Sequence, residues 1–143
     1  MNESKYLLDS DTIIDLIKER YQILQKIESI GITNCFVSEI TIGELHFGVH
    51  YSSNYEKQKS EPLDISASFN ILPISEVLAL FGREKARLRK NGNLIADHDL
   101  WIGTTAVRYD LIMVTSNTKH FSRIKDIVLQ DWRDPNFNGF IEK

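Results

Sequence analysis

The 143-residue sequence is poor in cysteine, in long apolar runs and in net positive charge. Its single cysteine, Cys35, excludes an intramolecular disulfide and lies in the apolar stretch Cys35-Phe36-Val37, so we expect it in the core of a cytoplasmic protein. No run of about 18 apolar residues is present, and the N-terminus leads directly into a strand-like segment, so we expect neither a membrane partner nor export. The net charge of −3 argues against a protein that coats nucleic acid through overall positive charge.

Short apolar runs alternate along the chain with stretches of helical spacing, within a length suited to one domain over residues 1–143. We expect strands at residues 5–8, 34–37, 71–74, 111–114 and 127–129. We expect helices at residues 12–30, 38–49, 55–69, 76–90 and 97–109, and a short helical stretch around residues 121–124. Pro62 should limit the start of the helix at 55–69 or bend it. Pro73 favours a sheet edge for its strand. The alternation predicts an α/β fold, a three-layer α/β/α domain with a short, mostly parallel central sheet.

Three carboxylates, on Asp9, Glu44 and Asp99, lie beside these apolar runs, at the predicted end of a strand or on a helix. Held about 4 to 5 Å apart, such charges repel one another by several kcal/mol at an effective dielectric constant of about 20, and a divalent cation would relieve that repulsion. Each acid also has a structural alternative. Asp9 could cap the first helix, as could Ser10 or Asp11, and the other two could face solvent or the positive end of a helix dipole.

A basic segment lies just before Asp99. It contains Arg83, Lys85, Arg87, Arg89 and Lys90. This segment predicts either a solvated helix face or a surface that grips phosphate groups.

Two histidines suggest a competing metal site. His46 and His50 are four residues apart and would share one face of a helix, with Glu44 nearby, which is one route to a zinc site. Against this interpretation, Glu44 and His46 fall on different faces of that helix, and a third well-placed ligand is missing.

Four strings together carry a pattern that none carries alone. They are residues 7–12 (LLDSDT), 37–45 (VSEITIGEL), 99–103 (DLWIG) and 114–121 (VTSNTKHF). Their order and spacing resemble those of PIN-domain ribonucleases, and the chain is similar to a VapC-type toxin. The resemblance continues to residues 127–132 (IVLQDW) and so covers nearly the whole chain.

The resemblance implies an acidic metal-binding set of Asp9, Glu44 and Asp99, with Asn117 at the position where many relatives carry a fourth acid. It implies hydrolysis of RNA to 5′-phosphate and 3′-hydroxyl ends with Mg²⁺ or Mn²⁺, which prefer hard oxygen ligands. Asp9 and Asp99 would bind the ion directly or through water, and Glu44 would orient the attacking water or share the ion. Supporting residues would be Ser10, Thr115 and Asp97, and the RNA backbone would meet Arg83, Arg87, Arg89 and Lys90.

The resemblance also implies partners. A VapB-like antitoxin would neutralise the toxin and provide its only link to operator DNA, and the toxin would form a homodimer. The expected substrate is transfer RNA, initiator tRNA included, because the relatives that the chain resembles include such enzymes. The alternatives are a solitary RNA-processing PIN nuclease, a non-catalytic partner-binding domain, and a haloacid-dehalogenase-like phosphatase, which Asp9-Ser10-Asp11 also resembles. Those phosphatases, however, insert a turn and a flap where this chain has a predicted helix from Thr12.

Overall fold

A computed structural model describes residues 4–136 and shows a five-stranded sheet in which every neighbouring pair of strands is parallel. The strands are β1 (Tyr6–Leu8), β2 (Cys35–Ser38), β3 (Asn70–Leu72), β4 (Ile112–Val114) and β5 (Val128–Gln130). Their order across the sheet is β3-β2-β1-β4-β5, so the first strand is central. Tyr6 pairs with Cys35 on one side and with Ile112 on the other, which aligns the carboxyl ends of the three central strands along one edge of the sheet.

Helices connect consecutive strands. They are α1 (Ser10–Ile17), α2 (Ile23–Ile30), α3 (Glu39–Tyr51), α4 (Tyr55–Gln58), α5 (Glu61–Ser68), α6 (Leu78–Lys90), α7 (Asp97–Arg108) and α8 (Thr118–Phe121). Within residues 4–136, no helix has the length and apolar character to cross a bilayer.

Neighbouring residues of the first four strands contribute to two separate apolar cores, because successive side chains of a strand point to opposite faces of the sheet. Tyr6 and Leu8 pack on one face with residues of α1, α2, α3 and α5. Leu7, between them, packs on the other face with residues of α6, α7 and α8. Helices therefore cover both faces, and the predicted three-layer α/β/α fold is confirmed. The single-domain prediction also includes residues 1–3 and 137–143, which lie outside the described residues, and it stays a prediction.

The predicted continuous helix over residues 12–30 is wrong, because the chain turns between α1 and α2. Glu19, Tyr21 and Gln22 have positive φ angles of 55 to 56°. The Arg20 amide closes the turn by donating to the Asp15 carbonyl at 2.8 Å. Both helices pack on the same core, so the apolar spacing runs through the turn and conceals it.

The predicted helix over residues 55–69 is also two helices, α4 and α5. Pro62 occupies the first turn of α5, where its missing N–H has no intrahelical partner to lose. The other predicted strands and long helices are present with ends shifted by one or two residues. β3 lies at a sheet edge, as Pro73 predicted.

Candidate active site

Asp9 follows β1 directly and lies at the carboxyl edge of the sheet, with its side chain buried. Its Oδ1 accepts a hydrogen bond from the Ser10 backbone amide at 2.7 Å, so it also caps α1. Its Oδ2 accepts one from the Thr115 hydroxyl at 2.8 Å. Burial, followed by the nearby charge of Asp11, raises the pKa of Asp9 to about 7. Among these two hydrogen-bond partners there is no cation, so ionising Asp9 is costly.

Glu44 is brought to Ser10, the residue after Asp9, by α3, which starts at the end of the neighbouring strand. Ser38 caps that helix by accepting a hydrogen bond from the Ile40 amide at 3.1 Å. The Ser10 hydroxyl donates to Glu44 Oε1 and lies 3.1 Å from the Thr41 hydroxyl. The start of α1, next to Asp9, is therefore joined to the acid of α3 through one hydroxyl group.

Asp99 lies in the first turn of α7 and is partly buried. Burial raises its pKa, Asp11 adds to the rise, and the charges of His98 and His120 oppose it. His98 Nε2 lies 3.3 Å from Asp99 Oδ1 and 3.5 Å from Glu44 Oε2. The imidazole thus lies between acids that come from two different helices.

Asn117 is connected to the acids through Thr115, which follows β4. Thr115 Oγ1 donates to Asp9 and accepts a hydrogen bond from the Asn117 amide at 3.0 Å. The Asn117 side chain faces His120, and Asn117 Nδ2 lies 3.1 Å from His120 Nδ1. The loop after β4 therefore fixes one carboxylate oxygen of Asp9 from the side opposite Ser10.

Asp97, predicted as a supporting residue, points elsewhere. Its Oδ1 lies 3.0 Å from Lys85 Nζ on α6, and both side chains are exposed. The structure thus gives Asp97 a surface ion pair, although it is only two residues from Asp99.

Asp11 belongs to the acidic cluster, although the sequence predicted it only as a possible helix cap or as part of the phosphatase-like string Asp9-Ser10-Asp11. Its Oδ2 accepts from the Ser116 hydroxyl at 2.5 Å and from the Ser116 amide at 3.3 Å. Its charge contributes to the raised pKa values of both Asp9 and Asp99. The Asp-x-Asp spacing at the start of a helix was the available signal, because it places two acids in one turn.

Comparisons with known proteins match this arrangement of fold and acids. Residues 6–127 match the PIN domain family. The chain belongs to the PIN-domain family. It is 35% identical over 130 residues to Ribonuclease VapC1 of Haemophilus influenzae strain R2866, covering 89% of this chain and 97% of that protein.

A second relative has a more specific name. The chain is 26% identical over 129 residues to the tRNA(fMet)-specific endonuclease VapC of Salmonella typhimurium, covering 90% of this chain and 98% of the relative. Among solved structures, VapBC-1 from nontypeable Haemophilus influenzae superimposes with a TM-score of 0.78 at 34% identity, covering 89% and 97% of the two chains. The predicted resemblance to VapC-type PIN proteins is confirmed.

Within this PIN domain, the acids present the donor set that hard divalent cations prefer, carboxylate oxygens drawn from two helix starts and one helix interior. Among residues 4–136, no three His, Cys, Asp or Glu side chains are already assembled as a cage for a metal ion. The chemistry of the donors and the high pKa of Asp9 fit a cation, which would have to draw the ligands closer together.

The basic segment of this PIN domain divides into two groups. Arg87 is held by Glu84, to which it donates from Nε at 2.9 Å and from Nη2 at 2.8 Å, and it also donates to the Arg123 carbonyl at 2.9 Å. Glu84 is buried, so Arg87 neutralises an internal charge, and its predicted contact with RNA stays a prediction. The side chains of Arg83, Arg89 and Lys90 are exposed.

Two alternative interpretations, a zinc site at the histidine pair and a dehalogenase-like phosphatase, are not supported by the structure. The histidine pair of α3 gains no third metal ligand among the described residues, and the ring of His50 packs against Tyr55 with centroids 5.0 Å apart. For a dehalogenase-like phosphatase, a turn and flap should follow Asp9, whereas α1 begins at Ser10. The match to the PIN family excludes that alternative as well.

Proposed function

We propose that the chain is a metal-dependent endoribonuclease that acts as the toxin of a VapBC-type pair. The RNA-cleaving activity is supported by relatives named ribonuclease VapC. The single observation that carries the metal dependence is Asp9, a buried carboxyl whose pKa is raised to about 7 beside further acids. A carboxylate in these surroundings ionises readily only when positive charge is brought to it.

The residues of the site would divide the work. Asp9 and Asp99 would provide oxygen ligands for Mg²⁺ or Mn²⁺, and Glu44 would share the ion or orient the attacking water. A bound divalent cation supplies a Lewis acid that neutralises the charge growing on the phosphate and makes water a better nucleophile. Ser10 fixes Glu44, and Thr115 fixes one oxygen of Asp9, so both acids would keep their orientation through the reaction.

Asn117 would complete the edge of this site as a neutral side chain. The backbone amide of Asn117 donates to Thr115 Oγ1, so the first contribution of this residue would be to hold the hydroxyl that orients Asp9. The predicted RNA-binding surface is retained for Arg83, Arg89 and Lys90, whose exposed side chains could meet phosphates. Arg87 is left out of this proposal because Glu84 already uses its guanidinium group.

The proposal extends to partners. A solved relative with 34% identity is a VapBC complex, which supports a VapB-like antitoxin for this chain. A relative named as a tRNA(fMet)-specific endonuclease supports tRNA as the substrate, initiator tRNA included. A homodimer, and contact with operator DNA only through the antitoxin, remain predictions.

Cleavage of total cellular RNA by purified, antitoxin-free protein tests the activity. Wild type with Mg²⁺ or Mn²⁺ should release discrete fragments, and EDTA should abolish them. Asp9→Asn and Asp99→Asn should each lower the rate by about 10² or more, because each removes a proposed metal ligand. Asp64→Asn makes the same chemical change at an exposed position of α5 and should cut like wild type.

Circular dichroism should show that all variants are folded. Cleavage that survives EDTA, or that is unchanged in both site variants, would contradict the proposed site. Fragments that map to several RNA classes without preference would leave the ribonuclease intact and reject tRNA as its specific substrate.

A further inference from the structure

The imidazole group of His98 lies within the acidic site, and none of the proposed metal-binding and positioning roles uses it. His98 Nε2 is 3.3 Å from Asp99 Oδ1 and 3.5 Å from Glu44 Oε2. We propose that His98 supplies a nitrogen ligand to the divalent cation, alongside Glu44 and Asp99, and thereby biases the site toward Mn²⁺ over Mg²⁺. This inference rests on the metal dependence proposed above.

The distances of His98 are compatible with neighbouring positions around one ion. A charge-assisted N–H···O bond is usually about 2.7 to 2.9 Å long, and both contacts of His98 are longer. Two ligands at right angles around an ion with bonds of about 2.1 Å stand about 3 Å apart. The imidazole nitrogen therefore lies close to ligand spacing from each of the two carboxylate oxygens, although the described residues do not yet surround a common point.

The position of His98 leaves it free to adjust. Its side chain is 51% exposed, and those of Glu44 and Asp99 are 32% and 17% exposed. It lines the same cleft as Ser10 and Glu44, whose floor includes Gly43 and Gly48 of α3. A Cβ atom added to either glycine would meet nothing within 4 Å, so the cleft is open above these glycines. Asp9 and Asp99 do not line this cleft, so His98 and Glu44 are the proposed ligands that face it.

A nitrogen donor has a consequence for metal choice. Carboxylate and water ligands suit Mg²⁺ and Mn²⁺ alike, whereas imidazole favours transition metals over Mg²⁺. Replacing His98 by alanine should therefore weaken Mn²⁺ binding by about tenfold and Mg²⁺ binding by about threefold at most.

The rival nitrogen donor is His120, whose charge also reaches Asp99 and whose Nδ1 contacts Asn117. His50 lies away from the acids, against Tyr55. His120→Ala tests the competing assignment, and His50→Ala is the matched control. Each of them, like His98→Ala, removes one imidazole.

The test is Mn²⁺ binding to the antitoxin-free protein without RNA, followed by electron paramagnetic resonance. Binding is titrated from the free Mn²⁺ signal without and with Mg²⁺ as a competitor, which gives both affinities, and pulsed measurements on the bound ion detect coupling to imidazole ¹⁴N. We expect this coupling in wild type, His50→Ala and His120→Ala, and its loss in His98→Ala together with the tenfold weaker binding.

Each other outcome overturns the assignment of His98. Bound Mn²⁺ that depends on Asp99 but shows no ¹⁴N coupling would leave the proposed metal site standing and remove His98 from it. Coupling lost only in His120→Ala would assign the ligand to that residue instead. Tighter Mn²⁺ binding by His98→Ala would make the imidazole a competitor of the ion. Absence of Mn²⁺ binding by wild type would overturn both this inference and the proposed metal dependence.

Discussion

Buried acids in this domain lie in two kinds of surroundings. Asp15 is 1% exposed and accepts two hydrogen bonds from the Arg133 guanidinium, at 2.7 and 3.1 Å. Glu84 is 3% exposed and accepts two from Arg87, at 2.9 and 2.8 Å. Asp9 is 6% exposed, yet its hydrogen bonds come from a neutral hydroxyl and a backbone amide.

The pKa values of Glu84 and Asp9 are shifted in opposite directions. Hydrogen bonding to Arg87 lowers the pKa of Glu84, whereas burial raises the pKa of Asp9 to about 7. An acid with an internal cation stabilises the fold without outside help. A buried acid at the sheet edge that has no cationic partner is costly to ionise. A cation bound from solution would relieve this cost, which favours cation binding at that acid. This contrast separates structural acids from candidate site acids more sharply than burial alone.

Removing the cation from the first structural pair should have the largest effect on stability. Arg133→Met leaves Asp15 buried without its partner, and the free energy of unfolding should fall by about 3 kcal/mol. Urea denaturation at pH 7 measures the change. Arg20→Met, at an exposed position of the neighbouring turn, should change stability by less than about 0.5 kcal/mol.

The double variant Asp15→Asn with Arg133→Met distinguishes an unpaired charge from lost packing. It should recover part of the stability, since the buried charge is gone. If the double variant is as unstable as Arg133→Met alone, the pair contributes through packing and the comparison with Asp9 fails.

The second structural pair should show a smaller loss. Arg87→Met should lower the free energy of unfolding by about 2 kcal/mol at pH 7, because Glu84 keeps a hydrogen bond from the Lys125 amide at 3.0 Å. The pKa of Glu84 is lower in the folded state, so the stabilisation is present above its unfolded pKa and is lost as pH falls through the folded value.

The difference between wild type and Arg87→Met should therefore shrink between pH 7 and about pH 3, measured by urea denaturation across that range. Arg89→Met on the same helix, with an exposed side chain, is the control for changes in helix charge. A difference that grows on acidification would show that Arg87 does not act through an ionised Glu84.

Replacing the unpaired acid should have the opposite sign. Asp9→Asn should raise the free energy of unfolding of the metal-free protein by about 2 kcal/mol at pH 8, since an amide is neutral there. The folded pKa of Asp9, about 7, lies above its unfolded value, so folded wild type binds more protons and loses stability as pH rises toward 7.

The gain from Asp9→Asn should accordingly vanish near pH 4, where wild type is protonated. Thermal or urea denaturation with chelator at pH 4, 6 and 8 measures this trend. A variant that is less stable than wild type at every pH would mean that Thr115 and Ser10 need a carboxylate, and that Asp9 resembles the structural acids.

The same residues show how far the sequence could predict this molecule. Short apolar runs bounded by polar residues correctly located the five strands, and Pro73 correctly indicated an edge. The turn between α1 and α2 was not predictable from spacing, because Tyr21 and Gln22 adopt positive φ without glycine or proline to mark it. Tertiary packing of both helices on one core overrides the local preference there.

The candidate site was predictable to a similar degree. Asp9 and Asp99 were identifiable because each begins a helix beside an apolar run, and the structure brings the two within electrostatic reach of one another. Asp11 was missed because helix capping already accounted for an acid at that position of the sequence. Arg87 was assigned to RNA because the sequence shows a run of cations but not that Glu84, three residues before, is buried.

The smallest predicted effect is also the most selective test of the contrast between the two kinds of acid. Mn²⁺ at about ten times its dissociation constant should stabilise wild type by about 1.4 kcal/mol, since it binds only the folded state. Arg133→Met should gain at least the same increment, because its partner Asp15 lies outside the proposed site and the lost cation lay within electrostatic reach of Asp11 in the acidic cluster. Asp9→Asn should gain much less, and the shift in melting temperature with added Mn²⁺ measures all three. An equal gain in all three proteins would place the ion elsewhere, and the raised pKa of Asp9 would then reflect burial alone.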